Sequence, residues 1–225
     1  MKIPLKKTAL LLVLCIFKIS SGLLLAQNPE RFAKEVDSIV AANQSFQKDN
    51  LVLFTGSSSI RLWKDLNAAF PKHNVLNMGF GGSEMADLLY FTDKLIVPFH
   101  PKQIFIYEGD NDLSVGRTAE QIIASADSIL LLVRQHLPEA EVIFISPKPS
   151  LKRWELKAKY EDFNKKLRAW TSKKRNVRFA DVWTPMLDRN GNVMQDIFIA
   201  DGLHLNEKGY SIWASALKKY VGPSK

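Results

Sequence analysis

Short, unbroken runs of apolar residues recur along the chain, and each run is followed by a stretch whose apolar side chains have helical spacing. A short continuous apolar run is typical of a strand that is buried on both faces of a sheet. Strands that alternate with helices form parallel sheets with helices on both sides. The pattern therefore predicts an α/β fold with a three-layer, doubly wound, five-stranded parallel sheet in the strand order 2-1-3-4-5. The predicted strands are residues 51–55, 74–78, 103–107, 141–146 and 177–182. Apolar spacing also predicts helices over about 59–70 and 151–172, and Ser83 is the predicted cap of a helix over 84–95.

The first predicted strand ends in a tight turn that opens directly into a helix. Thr55 and Gly56 precede three serines at 57–59, and serine is a favoured residue at a helix N-terminus. Such a junction places side chains at the carboxyl end of a strand, beside unpaired backbone N–H groups and the positive end of a helix dipole. It is suited either to holding an anion such as a phosphate or to activating a serine whose substrate becomes an anion.

The N-terminal segment differs in composition from the rest of the chain. Three lysines within the first seven residues precede an apolar stretch that ends near the small residue Ala26, which is the pattern of a secretory signal peptide. Lys18 interrupts the apolar stretch and disfavours a permanent membrane span. We therefore expect residues 1–26 to be a signal peptide for export to the periplasm or the medium, and residues 27–225 to form one domain. Retention of the segment as an uncleaved anchor is the alternative.

The charge and cysteine content of the predicted mature domain disfavour nucleic-acid binding and leave no residue for thiol chemistry. The whole chain carries a formal net charge of +8, and residues 1–26 hold four lysines and no acidic residue, so +4 remains without them. An excess of this size is weak evidence for nucleic-acid binding, and we expect no nucleic-acid partner. The only cysteine, Cys15, lies in the predicted signal peptide, which leaves the mature domain without disulfide or thiol chemistry.

Residue types suited to acyl transfer follow the predicted strands where each strand ends. The serines at 57–59 follow the first strand, the glycines at 81–82 follow the second, and Asn111 follows the third; Asp201 and His204 precede the last predicted helix. Because the carboxyl ends of parallel strands meet at one edge of a sheet, these groups can come together there. A serine needs a base to become nucleophilic, histidine can be that base, and a carboxylate can orient it. Amide N–H groups can stabilise the oxyanion that forms.

Each of these features also has a purely structural interpretation. Serines at a helix start are commonly caps, and the glycines can serve a turn that needs positive φ. Asn111 can close an Asx-turn, and Asp201 and His204 can form a surface ion pair. The joint placement of all of them after strand ends favours the catalytic interpretation.

Four motifs in the chain resemble, in the same order, those of the SGNH hydrolases, also called GDSL-type esterases and lipases. The resemblance is greatest to the branch of platelet-activating-factor acetylhydrolase-like and acylhydrolase proteins. It implies a flavodoxin-like fold and a serine esterase that requires neither a metal nor another cofactor. The motifs are residues 54–60 (FTGSSSI), 77–82 (NMGFGG), 109–112 (GDND) and 201–204 (DGLH).

The resemblance also assigns roles to single residues. It implies that Ser58 is the nucleophile and that His204 and Asp201 complete a catalytic triad. It further implies that Ser58, Gly82 and Asn111 donate the hydrogen bonds of an oxyanion hole.

One motif departs from the family pattern. Its usual sequence is Gly-Asp-Ser, and Ser57 occupies the position of that aspartate. The departure leaves three adjacent serines, so Ser57 or Ser59 as nucleophile is the alternative to Ser58.

We therefore expect a secreted serine esterase that cleaves short acyl esters, above all acetyl esters, of a small molecule or an acylated carbohydrate. A lysophospholipase or thioesterase would use the same machinery. Two further classes stay open at this point. One is a flavin or phosphate binder, which would have no use for Asp201 and His204. The other is a non-catalytic glycan-binding module that uses Trp63, Trp154 or Trp183 as stacking platforms.

Overall fold

The computed structural model describes residues 28–222, and the predicted signal peptide, residues 1–26, lies outside them. Five strands form one sheet, and every neighbouring pair is parallel. Their spatial order is 2-1-3-4-5, so the predicted fold class is confirmed. The strands are β1 (Val52–Gly56), β2 (Val75–Gly79), β3 (Gln103–Tyr107), β4 (Glu141–Ile145) and β5 (Val177–Ala180).

Helices cover both faces of this sheet and give it three layers. No helix within residues 28–222 combines the length and the apolar character needed to cross a bilayer. Four further short segments, Pro29–Phe32, Val97–Phe99, Trp154–Leu156 and Thr184–Met186, are 3-10 helices. The α-helices are α1 (Ala33–Asn43), α2 (Ser58–Arg61), α3 (Leu66–Ala69), α4 (Met85–Leu95), α5 (Asp110–Ser114), α6 (Ala119–His136), α7 (Lys157–Thr171) and α8 (Glu207–Leu217).

Two hydrophobic cores explain why the strands are continuously apolar. Helices α1, α4, α6 and α7 pack over one face of the sheet, and α2, α3 and α8 pack over the other. Successive strand residues point to opposite faces, so Leu53 and Phe54 are both fully buried but belong to different cores. A half-exposed sheet would instead have alternated apolar and polar residues.

Several predicted helix boundaries were wrong. The helix expected over 59–70 consists of two short helices, α2 and α3. The helix expected over 151–172 begins at Lys157, after a 3-10 turn. Ser83 does not cap α4; Glu84 is the N-cap, and its backbone N–H donates to Asp87 Oδ2 at 2.9 Å. The Ser83 hydroxyl donates instead to Glu108 Oε1, a buried partner on another strand end that local sequence does not reveal.

Gly56 brings β1 and β3 close together at the edge of the sheet that carries the candidate site. Its φ is +119°, and a Cβ atom there would lie 2.1 Å from the carbonyl oxygen of Tyr107. Both the backbone conformation and the close approach therefore require glycine. The serines of α2 follow immediately from this turn.

Candidate active site

Three of the predicted residues form one hydrogen-bonded chain. The Oγ of Ser58 lies 3.0 Å from the Nε2 of His204, and the Nδ1 of His204 lies 2.6 Å from the Oδ2 of Asp201. Both separations are hydrogen-bond distances. The imidazole thus contacts the hydroxyl on one side and the carboxylate on the other, an arrangement in which a base can take the hydroxyl proton.

The start of α2 distinguishes Ser58 from its two serine neighbours. Ser57 is the extended N-cap residue, and Ser58 is the first residue of the helix. Ser57 and Ser59 are each 2% exposed, whereas Ser58 is half-buried and alone of the three bonds to His204. The N–H of Ser57 donates to the carbonyl oxygen of Tyr107, which removes one of the donors that a phosphate would need.

A tight turn holds Asp201 in position. One oxygen of its carboxylate accepts hydrogen bonds from the backbone N–H groups of Leu203 and His204, at 2.8 and 2.9 Å, while the other bonds the imidazole. Burial alone would raise the pKa of Asp201, but these hydrogen bonds outweigh it and lower the pKa to about 2. The carboxylate therefore stays ionised throughout the neutral pH range.

The two predicted amide donors, Gly82 and Asn111, are neighbours in space. A Cβ atom added at Gly82 would lie 3.7 Å from the Nδ2 of Asn111. The Asn111 carboxamide is held at both ends: Nδ2 donates to the carbonyl oxygen of Ser83 at 2.9 Å, and Oδ1 accepts from Arg153 at 3.0 Å. Because Nδ2 carries two hydrogens, one N–H remains for another acceptor. The side chain bridges two other segments rather than closing an Asx-turn.

Comparison with known proteins identifies the family. The family model described as GDSL-like lipase/acylhydrolase matches residues 37–212. The chain belongs to this family. It is therefore a carboxylic ester hydrolase, and the resemblance drawn from the four motifs is confirmed.

Some known proteins resemble this GDSL-like hydrolase in sequence, and others resemble it in fold. It is 27% identical over 194 residues to platelet-activating factor acetylhydrolase IB subunit alpha2 of Gallus gallus, covering 82% of this chain and 81% of the relative. Its fold resembles a GDSL-like lipase from Bacteroides thetaiotaomicron, with TM-score 0.68, 20% identity and coverage of 86% and 97%. It also resembles an acetylxylan esterase from Geobacillus stearothermophilus, with TM-score 0.64, 15% identity and coverage of 78% and 95%.

A buried ion network behind Asn111 is part of this hydrolase's site and was missed by the sequence analysis. Asp110 accepts hydrogen bonds from Lys148 at 3.0 Å, Arg153 at 2.5 Å, Tyr160 at 2.5 Å and Tyr107 at 2.9 Å. Lys148 is completely buried. Although burial favours the neutral acid, the two cations outweigh it and hold the pKa of Asp110 well below its usual range.

This network fixes the orientation of the neighbouring carboxamide. Arg153 donates to Asp110 through one guanidinium nitrogen and to Asn111 Oδ1 through the other. A guanidinium can only donate, so the Asn111 oxygen must face it and the amide nitrogen must face away. Lys148 lies three residues after β4, at the same sheet edge as the motifs, and this position is the sequence signal that could have revealed the network.

A second group of carboxylates is buried behind the loops that carry Gly82 and Asn111. Glu84, Asp87, Glu108 and Asp112 are all less than 5% exposed. Burial raises the pKa of Asp87, raises that of Glu108 well above its usual range, and raises that of Asp112 to about 7. Within residues 28–222, no cluster of histidine, cysteine or acidic side chains is arranged to hold a metal ion.

The buried carboxylates predict how the stability of the hydrolase depends on pH. An unfolded aspartate has a pKa near 3.9, so between about pH 4 and 7 folded Asp112 keeps a proton that the unfolded chain has lost. Its contribution to the free energy of unfolding should therefore fall as pH rises through this window, by up to about 1.4 kcal/mol per pH unit. Urea unfolding from pH 5 to 8 measures this slope. Asp112→Asn cannot titrate and should make the slope shallower; an unchanged slope would contradict the assignment.

The tryptophans considered as glycan platforms are not open surfaces. Trp63 is 3% exposed and Trp183 is 7% exposed, and both belong to the hydrophobic cores. Trp154 is half-buried and stacks on Trp183 with ring centroids 6.1 Å apart. These positions favour a packing role.

Proposed function

We propose that this chain is an exported serine esterase that removes short acyl groups, above all acetyl, from a small-molecule or carbohydrate ester. The observation that carries the proposal is the chain of hydrogen bonds from Ser58 through His204 to Asp201. Export is supported by the signal-peptide pattern of residues 1–26. Acetyl as the acyl group is supported by the names of two similar proteins, an acetylhydrolase and an acetylxylan esterase.

In the first half of the proposed reaction, His204 Nε2 takes the proton of Ser58 as its Oγ attacks the ester carbonyl. Asp201 holds the imidazole by Nδ1 and stabilises the imidazolium. The carbonyl oxygen becomes an oxyanion, which accepts hydrogen bonds from the N–H groups of Ser58 and Gly82 and from Asn111 Nδ2. The imidazolium then protonates the departing alcohol, and an acyl-enzyme remains.

In the second half, water attacks the acyl-enzyme with His204 as the base. The tetrahedral intermediate again places its negative oxygen on the same donors. Collapse releases the carboxylic acid and returns the proton to Ser58 Oγ. Asn111 can serve both halves without reorienting, because Arg153 holds its oxygen away from the donors.

Covalent labelling tests this proposal at the level of a single atom. A fluorophosphonate reacts much faster with a serine activated by a base than with an ordinary hydroxyl, so purified protein should gain one phosphonyl group, and peptide mass spectrometry should place it on Ser58. The His204→Ala variant should label at a rate reduced by at least about 10²-fold, since general-base assistance contributes that much. An adduct on Ser57 or Ser59, or equal labelling of His204→Ala, would contradict the proposal.

A further inference from the structure

The loop between β2 and α4 carries one of the proposed oxyanion donors and orients another. Gly82 supplies a backbone N–H, and the carbonyl oxygen of the next residue, Ser83, accepts a hydrogen bond from Asn111 Nδ2 at 2.9 Å. That bond occupies one of the two N–H groups of the carboxamide and so fixes the direction of the other. A displacement of Ser83 would therefore disturb both donors.

A short contact joins the side chain of Ser83 to the sheet. Its Oγ donates to Glu108 Oε1 at 2.6 Å, and another acceptor, the carbonyl oxygen of Phe80, is 3.4 Å away. Ser83 is completely buried, and Glu108 is 1% exposed. Glu108 directly follows β3, which is paired with β1 on one side and with β4 on the other. The contact thus ties the loop to a central strand of the sheet.

The surroundings of Glu108 make it a costly residue for stability. Within residues 28–222, its second carboxyl oxygen, Oε2, has no hydrogen-bond partner, and a buried polar atom without a partner costs free energy. Burial and three neighbouring carboxylates raise the pKa of Glu108 well above its usual range; the three are Asp112, Asp87 and Glu84. An apolar side chain would cost less at this position, so stability does not explain the glutamate.

We infer that Glu108 is a positioning residue of this hydrolase, which anchors Ser83 to the end of β3 and thereby holds Asn111 and Gly82 in the geometry of the oxyanion hole. The inference rests on the proposed function, because it takes Gly82 and Asn111 as the donors to the oxyanion. It adds a buried residue that lies outside the triad and acts through Ser83.

Two substitutions of Glu108 test this role. Glu108→Met keeps the length of the side chain but offers no carboxyl acceptor. Its kcat for p-nitrophenyl acetate should fall by about tenfold while KM changes by less than about threefold, because oxyanion donors act on the transition state more than on the bound substrate. Glu108→Gln keeps an acceptor for Ser83 Oγ and should retain kcat within about threefold of the wild-type value. A side chain that only filled space would not distinguish the two variants in this way.

Removing both partners of the contact separates positioning from stability. Ser83→Ala alone should also lower kcat by about tenfold. The double variant, Ser83→Ala with Glu108→Met, should lose no more activity than either single variant, because both substitutions break the same contact. Its midpoint in urea should not lie below that of the wild type, since it no longer buries an unpartnered carboxyl oxygen. A contact that served stability alone would not lower kcat while stability is kept.

Thr92→Val is the matched control. Thr92 is a completely buried residue of α4, and its hydroxyl donates to the carbonyl oxygen of Leu88 in the same helix at 2.9 Å. Deleting this hydroxyl should leave kcat unchanged.

The outcomes separate this inference from the proposed function. Wild-type kcat in Ser83→Ala, equal losses in Glu108→Gln and Glu108→Met, or losses that multiply in the double variant would overturn the inference even if Ser58→Ala is inactive. Ser83→Ala decides the matter where Glu108→Met does not fold. Undiminished hydrolysis by Ser58→Ala would instead contradict the proposed function.

Discussion

Replacing Ser58 with alanine should lower kcat for p-nitrophenyl acetate by about 10⁴–10⁶-fold, the range found when a serine hydrolase loses its nucleophile. The Oγ of Ser58 is the atom that bonds His204 Nε2 at 3.0 Å, so the substitution removes both the attacking atom and the proton that His204 would take. Residual activity would come from the amide donors alone. Initial rates with p-nitrophenyl acetate measure the effect, and circular dichroism checks that the fold is retained.

The adjacent serine provides the matched control for this prediction. Ser57 is the N-cap residue of α2, but its side chain makes no capping hydrogen bond. Ser57→Ala should therefore keep kcat within about tenfold of the wild-type value, a difference of less than about 1.4 kcal/mol in the barrier. Activity of Ser58→Ala equal to that of Ser57→Ala would rule out Ser58 as the nucleophile.

The largest effect on stability is expected from Asp110→Ala. Lys148 is completely buried, and its ammonium group donates to Asp110 at 3.0 Å. Alanine would leave this charge in the core without its carboxylate, and breaking a buried pair in this way typically costs about 3–5 kcal/mol. Such a loss is a large fraction of the total stability of an ordinary domain, about 5–15 kcal/mol. Urea unfolding at neutral pH measures it.

An exposed ion pair provides the comparison. Asp37 bonds Lys94 at 2.9 Å, a separation close to that of the buried pair, but both side chains are more than half exposed. Asp37→Ala should lower the free energy of unfolding far less than Asp110→Ala does, because water solvates the remaining ammonium. If Asp110→Ala and Asp37→Ala changed the free energy of unfolding equally, the buried network would not contribute to stability in the way described.

The sheet was predictable from sequence because its signal is local and repeated. Each strand is a short apolar run, and neighbours such as Leu53 and Phe54 are buried in opposite cores, which is why no polar residue interrupts the run. Helix boundaries were less predictable, because they depend on contacts across the fold. Ser83 is a good helix cap by residue type, yet its hydroxyl bonds the buried Glu108 and Glu84 caps α4 instead.

The candidate site was predictable to the extent that its residues follow strand ends in motifs. The sequence motifs named Ser58, His204 and Asp201 and left Ser57 and Ser59 open as alternatives. The first turn of α2 separates the three serines, since the direction of a side chain at a helix start depends on the backbone of that turn. It leaves Ser58 next to the imidazole and buries its two neighbours.

The sequence by itself determined the alternation of strands and helices, the strand order and the family, because hydrophobic spacing and short motifs are properties of neighbouring residues. Only the tertiary structure decided which groups support those motifs. Lys148 and Arg153 meet Asp110 from about forty positions away in the chain, and His204 meets Ser58 from 146 positions away. Such contacts depend on how the helices pack on the sheet, and no local pattern of residues specifies that packing.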